Sequence, residues 1–183
     1  MNNSLDDLHI TLATPDDSHQ LADLFHAAVH SIDTELYSPE QQEAWAPTPP
    51  DYAFWKARML AADQQQTFIA VKDGKIVAFM EYLPLDKTDT DKSAFPEPQA
   101  NSYAYIDCTY THPDYQGRGI AGQLYTHLEA HAQKQKTKFL KVDASMSAET
   151  FFRRRGFIPG QQNRIHRHGQ TLVNLSMQKS LQA

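Results

Sequence analysis

The hydrophobic pattern in the first third of the chain predicts one strand and three helices. Leu8–Ala13 alternates and is rich in β-branched residues, which is typical of a strand. Thr14 is a helix-capping residue, Pro15 suits the first helical position, and apolar residues then recur at helical spacing. A second helix is predicted to begin at the Ser38 cap, and a third to run from Asp51 to about residue 62.

The middle of the chain predicts strands that follow one another directly. Two apolar runs joined through Asp73-Gly74 indicate a hairpin, because this dipeptide favours a tight turn. A polar, proline-bearing stretch at 84–101 indicates a loop, and Tyr103–Thr111 is predicted to be the next strand. These three strands form a predicted meander.

The last third predicts a helix after residue 119, a strand at 139–144, a short helix and a final hairpin around Gly169. The short helix is predicted over Ala148–Arg155, with Ser147 as its cap and Gly156 at its end. The order of elements favours a mixed sheet with helices on both faces, in a single α/β (α+β) domain spanning residues 1–183.

Composition and charge narrow the class of protein. Of 183 residues, 40% are hydrophobic and 21% are charged, which is typical of a soluble globular chain. The net charge of -5 disfavours a nucleic-acid partner. One cysteine, Cys108, leaves no intramolecular disulfide and fits a reducing compartment. No apolar run is long enough for a membrane span, and the acidic N-terminus lacks a signal-peptide pattern, so we expect a cytoplasmic protein.

The stretch HPDYQGRGIAGQLY, residues 112–125, carries the clearest candidate chemistry. Pro113 cannot donate to a sheet, so strand pairing should stop there. Gly117 and Gly119 would let a phosphate approach the backbone, and the N–H groups that open the following helix suit an anion. The stretch lacks the Gly-Lys-Ser/Thr ending of a P-loop and the register of a dinucleotide fingerprint. The alternative is a glycine-rich turn before a packing helix.

These residues resemble a known family. QGRGIA at 116–121 matches the Q/R-x-x-G-x-G/A signature of the GCN5-related N-acetyltransferase (GNAT) superfamily, residues 112–129 resemble its motif A, and AETFFRRRGF at 148–157 resembles its motif B. The order of elements is similar along essentially the whole chain. The resemblance implies a mostly antiparallel sheet with a splayed central strand pair, and an N-acetyltransferase that uses acetyl-CoA as co-substrate.

The resemblance also implies the residues that hold acetyl-CoA. Backbone groups of 109–111 would hold the pantetheine arm and polarise the thioester, and N–H groups of 117–122 would hold the pyrophosphate. Ser145 stands where the family has an asparagine, and Phe152 where it has the tyrosine that acts as acid. The implied cofactor-binding residues are Thr109, Tyr110, Thr111, Gln116, Gly117, Arg118, Gly119, Ile120, Ala121, Gly122, Ser145 and Phe152.

The missing tyrosine leaves the acid open. Ser145 is a candidate to contact the leaving sulfur, with a local turn or cap role as the alternative. Water could protonate the thiolate instead, because a thiol is a good leaving group. Tyr110 and Tyr125 are substitute donors whose alternative role is packing.

Asp107 is the first candidate for the catalytic base. Alternation in its strand would place it on one face with Tyr105 and Thr109, and Cys108 on the other face, in the core. Burial there would raise the pKa of the carboxyl and suit it to base work. The alternative is a structural hydrogen bond, and Glu81 and Asp143 compete for the role.

The first helices are expected to build the acceptor pocket. Its candidate residues are Tyr37, Trp45, Glu81 and Tyr105, with Trp55 a further aromatic; ordinary core packing is the alternative for the aromatics. Arg153–Arg155 is expected to be a solvated face, with a contact to a CoA phosphate as the alternative.

The expected acceptor is a small-molecule amine. A protein N-acetyltransferase and a non-catalytic acyl-CoA-binding module remain open, and the family suggests a homodimer. His166 and His168 lie two apart without an evident third ligand, so no metal site is predicted.

Overall fold

A seven-stranded sheet organises the protein. The computed structural model describes residues 7–61, 65–84 and 103–181. The strands lie in the order β1-β2-β3-β4-β5-β7-β6. They are β1 (His9–Leu12), β2 (Gln66–Lys72), β3 (Lys75–Pro84), β4 (Tyr103–Thr111), β5 (Phe139–Ser145), β6 (Ile158–Arg167) and β7 (Gln170–Ser180). β4 and β5 pair in parallel, whereas the other neighbours pair antiparallel. The predicted mixed, mostly antiparallel sheet is confirmed.

Five α-helices accompany the sheet in the described residues: α1 (Ser18–His30), α2 (Pro39–Trp45), α3 (Tyr52–Leu60), α4 (Ile120–Lys134) and α5 (Glu149–Arg153). The Ser38 and Asp51 side chains accept hydrogen bonds from backbone N–H groups of the helices that follow them, as predicted for caps. The predicted Ser147 cap is wrong, because α5 begins at Glu149 and the Ser147 hydroxyl instead hydrogen-bonds that of Ser145 at 2.9 Å. No helix in the described ranges is long and apolar enough to cross a membrane.

The hydrophobic core lies on both faces of the sheet. One face packs against α4 and α5 and includes Met80, Ile106 and Leu124; we call it the α4-side core. The other packs against α1 and α3 and includes Trp55 and Phe79; we call it the α1-side core. Helices on both faces match the prediction, and the two cores hold the central strands from both sides.

The two predicted hairpin turns are present. Asp73 and Gly74 join β2 to β3, and His168 and Gly169 join β6 to β7, all four with positive φ. Two consecutive left-handed residues are the conformation of the turn that matches strand twist. The loop predicted at 84–101 lies outside the described residues, apart from Pro84 at the end of β3.

Candidate active site

The parallel strands β4 and β5 separate in the middle of the sheet. They pair from Tyr103–Phe139 to Ile106–Val142, and beyond this point β4 pairs with β3 while β5 pairs with β7. Beyond this point, the backbone N–H and C=O groups on the facing edges of β4 and β5 no longer hydrogen-bond to each other. We call this opening the fork. The splayed strand pair implied by the resemblance is therefore confirmed.

A β-bulge in β4 sits at the fork. Thr109 pairs with Met80 and Ile106 with Tyr82, so Asp107 and Cys108 together oppose Glu81 on β3. The extra residue reverses the alternation of side chains beyond it.

The bulge corrects the predicted faces of β4. Thr109 lies opposite Met80 on the α4-side face, whereas Cys108 packs against the α1-side core. The expectation that Asp107 shares a face with Thr109, and that Cys108 points away from it, is therefore wrong. Strict alternation failed because a bulge puts two consecutive side chains on one face.

An arginine links the two carboxylates beside the bulge. Arg58 on α3 donates from Nε and Nη2 to the two oxygens of Glu81, at 3.3 and 2.6 Å, and its Nη2 also hydrogen-bonds Oδ2 of Asp107. Glu81 is fully buried and also accepts from the Thr67 hydroxyl at 3.4 Å. We call Arg58, Glu81 and Asp107 the carboxylate–arginine cluster.

Burial and charge act differently on the members of this cluster. The Asp107 side chain is 42% exposed, so the expectation of a buried carboxyl is wrong; the buried one is Glu81. Burial acts to lower the pKa of Arg58, but hydrogen bonds and charge from Glu81 outweigh it and raise that pKa above its ordinary value. Burial, reinforced by the two carboxylates, raises the pKa of the neighbouring Cys108 thiol, which keeps it protonated.

Glu81, Asp107 and Cys108 have side chains of the types that bind metal ions. Ligand-type atoms of Glu81, Asp107 and Cys108 lie within 4.8 Å of one another. The cation among them is the guanidinium of Arg58, which already supplies the positive charge, so we assign no metal there. His166 and His168 have hydrogen-bonding partners of their own: the hydroxyl of Thr171 and the carbonyl of Ala44.

A polar network continues from the fork along β5 and β7. The Tyr105 hydroxyl donates to Asp143 at 3.3 Å, and Asp143 also accepts from Ser176 at 2.6 Å and from Asn163 at 3.3 Å. Burial, with Asp143 adding to it, raises the pKa of Tyr105. Tyr105 is therefore the group that interacts with both Asp143 and Asp107, and its role at an acceptor site stays a prediction.

The predicted aromatic wall is only partly realised. Tyr37 is 2% exposed, and its hydroxyl donates to the Val173 carbonyl and accepts from Met146 N–H at 3.1 Å. Tyr37 is thus a structural clamp whose surface and hydroxyl are both engaged within the protein, and its role as a pocket residue stays a prediction. Trp45 is half-buried and lies edge-on to Tyr37 and Tyr110, at 5.3 and 6.4 Å between ring centres, while Trp55 is core.

The predicted phosphate cradle lies between the end of β4 and the start of α4. A short 3-10 helix, Pro113–Tyr115, ends β4, and His112 caps it by accepting from Asp114 N–H at 3.3 Å. Gly117 and Gly119 follow with φ of 71° and 80°, and α4 begins directly after Gly119. A Cβ at either glycine would meet nothing within 4 Å, so the space in front of this turn is open.

These features fit a long ligand with an anionic group. The first N–H groups of α4 have no partner within the helix and carry its positive dipole end. Beside β4, the Thr109 hydroxyl oxygen is buried and has no hydrogen-bond partner among the described residues. An orphaned buried hydroxyl is unfavourable unless a ligand completes it. The geometry suits a phosphate at the cradle and a hydrogen-bonding arm along β4.

Three residues that the resemblance implies as cofactor-binding have side chains already packed or hydrogen-bonded within the protein. Phe152 is 1% exposed and packs on Phe151 and Phe157, each at 5.1 Å between ring centres. The ring therefore has no free surface, and the contact of Phe152 with a cofactor stays a prediction. Ile120 is also core, so its backbone alone can face a ligand. Ser145 ends β5, where its hydroxyl is engaged by Ser147.

The three consecutive arginines are not a uniform solvated face. Arg153 pairs with Glu149 at 2.6 Å and is exposed, as predicted. Arg155 is half-buried: its guanidinium lies 3.5 Å from the ring centre of Phe151 and donates to the Phe151 carbonyl at 3.0 Å. It also crowds Gly122 in the first turn of α4.

Sequence reasoning missed Arg58 as a functional residue. Trp55, Arg58 and Met59 fall at spacing that shares one face of α3, and Trp55 is buried in the α1-side core. A charged residue on an apolar stripe is a signal that a buried partner of opposite charge lies beneath it. That signal was in the sequence, but it does not say which carboxylate is the partner.

Comparison with known proteins agrees with the fold and the fork. The sequence profile of the acetyltransferase (GNAT) family matches residues 29–157. The uncharacterized N-acetyltransferase YafP of Escherichia coli (strain K12) is 28% identical over 173 residues, which make up 94% of this chain and 96% of that protein.

Solved structures share the same arrangement of strands and helices. A GCN5-related N-acetyltransferase from Rhodopseudomonas palustris is 34% identical, with a TM-score of 0.76 over 94% of this chain and 95% of its own. PaiA N-acetyltransferase from Thermoplasma acidophilum, solved in complex with coenzyme A, has the same fold at 14% identity, with a TM-score of 0.71 over 94% of this chain and 98% of its own. The protein therefore belongs to the GNAT family of acetyltransferases.

Proposed function

We propose that this protein transfers the acetyl group of acetyl-CoA to an amine of a small molecule. The observation that carries the proposal is the combination of the fork after Ile106 and Val142 with the open glycine turn at the start of α4. Family membership supports acetyl transfer, and the complex of the Thermoplasma relative with coenzyme A supports the choice of donor.

The donor side of the proposed reaction uses backbone groups. N–H groups of the cradle would hold the pyrophosphate, and backbone groups of 109–111 would hold the pantetheine arm, with the Thr109 hydroxyl completed by the same ligand. Acetyl-CoA supplies an activated acyl group. An N–H aimed at the thioester carbonyl would stabilise the negative charge that develops on its oxygen.

Asp107 is the proposed base. Its carboxylate is partly exposed, lies at the fork, and is held through one oxygen by Arg58. It would take a proton from the ammonium of the acceptor, so that the neutral nitrogen can attack the carbonyl carbon while the carbon–sulfur bond breaks. Glu81 is the weaker candidate, because it is fully buried and both its oxygens are occupied by Arg58.

Water is the proposed proton source for the leaving thiolate. Phe152 cannot donate and is buried; Tyr125 is 3% exposed, and its hydroxyl donates to Glu129 at 2.9 Å. Tyr110 packs among aromatic rings of the α1-side core, and its pKa is raised by burial. A thiolate leaves without a strong acid, so no tyrosine is required in the mechanism.

The fixed structure around the acceptor side supports a small acceptor over an extended peptide. Tyr37 ties the segment before α2 to Val173 on β7, and Gln41 on α2 donates to the Thr171 carbonyl at 2.8 Å. These bonds hold α2 against the end of the sheet beside Trp45. A bounded site with aromatic and acidic groups suits a compact cationic amine.

Thiol release from acetyl-CoA, measured against a panel of amines, tests the proposal. The panel should contain diamines, amino sugars, aryl amines and amino acids, with peptides carrying free N-termini as a separate arm. Turnover of a small amine would support the proposal, whereas turnover confined to peptides would make this a protein N-acetyltransferase. Binding of acetyl-CoA in calorimetry without turnover of any amine would replace the enzyme by a binding module.

Replacement of the proposed base tests the assignment of Asp107. Asp107→Asn keeps the size and an oxygen for Arg58 but cannot take the proton, so kcat should fall by about 10²–10⁴-fold with the Kd of acetyl-CoA unchanged. Asp114→Asn is the matched control, because its side chain is 82% exposed in the adjoining turn. If Asp107→Asn turned over like the control, Asp107 would not be the base.

A further inference from the structure

The carboxylate–arginine cluster connects a fully buried acid to the acid at the fork. Arg58 makes two hydrogen bonds to Glu81 and one to Asp107, all from one guanidinium. Glu81 is 0% exposed, the Arg58 side chain is 22% exposed and the Asp107 side chain is 42% exposed. Exposure therefore rises stepwise from the interior to the fork.

We infer that Arg58, anchored by Glu81, is a positioning residue that holds the Asp107 carboxylate in place at the fork. The inference rests on the proposed function, since it gives Arg58 and Glu81 their role through Asp107. Neither residue needs to touch the acceptor or acetyl-CoA.

Packing alone is a poor explanation for the buried part of the cluster. A buried ion pair costs about as much to desolvate as it gains, and apolar residues of similar size often stabilise a core better. Glu81 directly faces the bulge that brings Asp107 and Cys108 onto one face. Two parallel hydrogen bonds join Arg58 to Glu81 and fix the plane of the guanidinium. In this orientation Nη2 also points at Asp107.

Two opposite charges face the Asp107 carboxylate. Arg58 from α3 attracts it, whereas Glu81 from β3 repels it. The other titratable groups facing Asp107 are Tyr105 and Cys108 on its own strand, with Tyr110 further along; all three stay neutral because their pKa values are raised. Asp143 on β5 lies beyond Tyr105 and is a second, weaker negative neighbour.

The two charges predict opposite effects of two matched substitutions. Arg58→Gln removes the cation and leaves Glu81 as the nearest charge, so the titration midpoint measured for Asp107 should move to higher pH than in the wild type. Glu81→Gln removes the opposing anion and leaves Arg58 to Asp107 alone, so that midpoint should move to lower pH. A role limited to stability would change unfolding temperatures without giving shifts of opposite sign.

Titration of the Asp107 carboxyl by ¹³C NMR measures these shifts in the ligand-free protein, and Asp107→Asn identifies its signal. The double substitution Arg58→Gln/Glu81→Gln removes both buried charges and so guards against a variant that fails to fold; its midpoint should lie between those of the single variants. Arg58→Lys keeps the charge and should restore the wild-type midpoint in part.

Opposite shifts, with the acidic limb of kcat/KM for one fixed amine moving in the same directions, would support the inference. Equal or absent shifts of the Asp107 signal would overturn it, even if the protein acetylates amines. If the NMR midpoints move as expected while wild-type protein turns over no amine, the proposed function fails and the electrostatic coupling stands.

Discussion

The proposed donor side and the proposed acceptor side of the fork are built in different ways. The donor side is one continuous stretch, in which β4 ends at Thr111, a turn follows, and Gly119 opens α4. The acceptor side gathers residues from three separate elements: Arg58 from α3, Glu81 from β3 and Asp107 from β4. One site is made by local backbone conformation, and the other by side chains that meet only in the folded protein.

This difference determines which substitutions each side should tolerate. Backbone N–H groups are present whatever the side chain, so the donor side depends on φ and on open space. The acceptor side depends on the charge and size of individual side chains, because removal of one member leaves a partner unpaired. Substitutions on the two sides, taken in order of decreasing effect, test whether the sides differ in this way.

The largest effect on the donor side is expected for Gly119→Ala. The residue has φ of 80°, so a side chain would strain the backbone by about 1–2 kcal/mol, and its Cβ would project into the open space where a phosphate would lie. We expect the KM for acetyl-CoA to rise about tenfold or more, which corresponds to about 1.4 kcal/mol of binding. The KM for the amine should be nearly unchanged.

Gly169→Ala separates strain from contact with the ligand. Gly169 has φ of 78° and equally open surroundings, but it lies in the turn between β6 and β7. Both variants should lose similar stability in thermal unfolding, while only Gly119→Ala should weaken the binding of acetyl-CoA. An equal loss of binding in both would mean that strain spreads through the protein and that the turn is no cradle.

The same division explains what could be predicted from sequence. The hydrophobic periods predicted a strand or helix for each described β-strand and α-helix, and the glycines at 117 and 119 predicted a turn before α4, because both signals are local. That this turn holds a phosphate stays a prediction. The face of Thr109 and the burial of Asp107 were predicted wrongly, since a bulge depends on pairing with Glu81 on another strand. No local pattern encodes that pairing.

Long-range hydrogen bonds could not be predicted from the sequence, for a related reason. Tyrosine is a residue type common in binding pockets, yet the Tyr37 hydroxyl donates a hydrogen bond to the carbonyl of Val173, which is distant in sequence. Phe152 occupies the position of a family tyrosine, but packing in the α4-side core leaves it no surface. An aromatic residue in a sequence has the same signature whether it lines a site or fills a core.

A smaller effect is expected for Tyr37→Phe on the acceptor side. Loss of the hydroxyl leaves the Val173 carbonyl and the Met146 N–H without this partner, which should lower the free energy of unfolding by about 0.5–1.5 kcal/mol. Tyr52→Phe is the control, because its exposed hydroxyl donates to Asp23 and should matter less. A change in the KM for the amine larger than the change in stability would place Tyr37 in the pocket.

The smallest effect is expected for Gly122→Ala, which asks whether the donor side depends on glycine as such or on backbone conformation. A Cβ there would lie 2.7 Å from Nη2 of Arg155, but that atom is the end of a flexible side chain and can move. Alanine favours the helix by up to about 1 kcal/mol, and loss of the stacking of Arg155 on Phe151 would offset a similar amount. Because the N–H groups of α4 remain in place, the KM for acetyl-CoA should change by less than about threefold, or about 0.7 kcal/mol. A rise in KM as large as that of Gly119→Ala would show that Arg155 or the bare Cα of Gly122 contacts the donor, and the donor side would then depend on side chains as the acceptor side does.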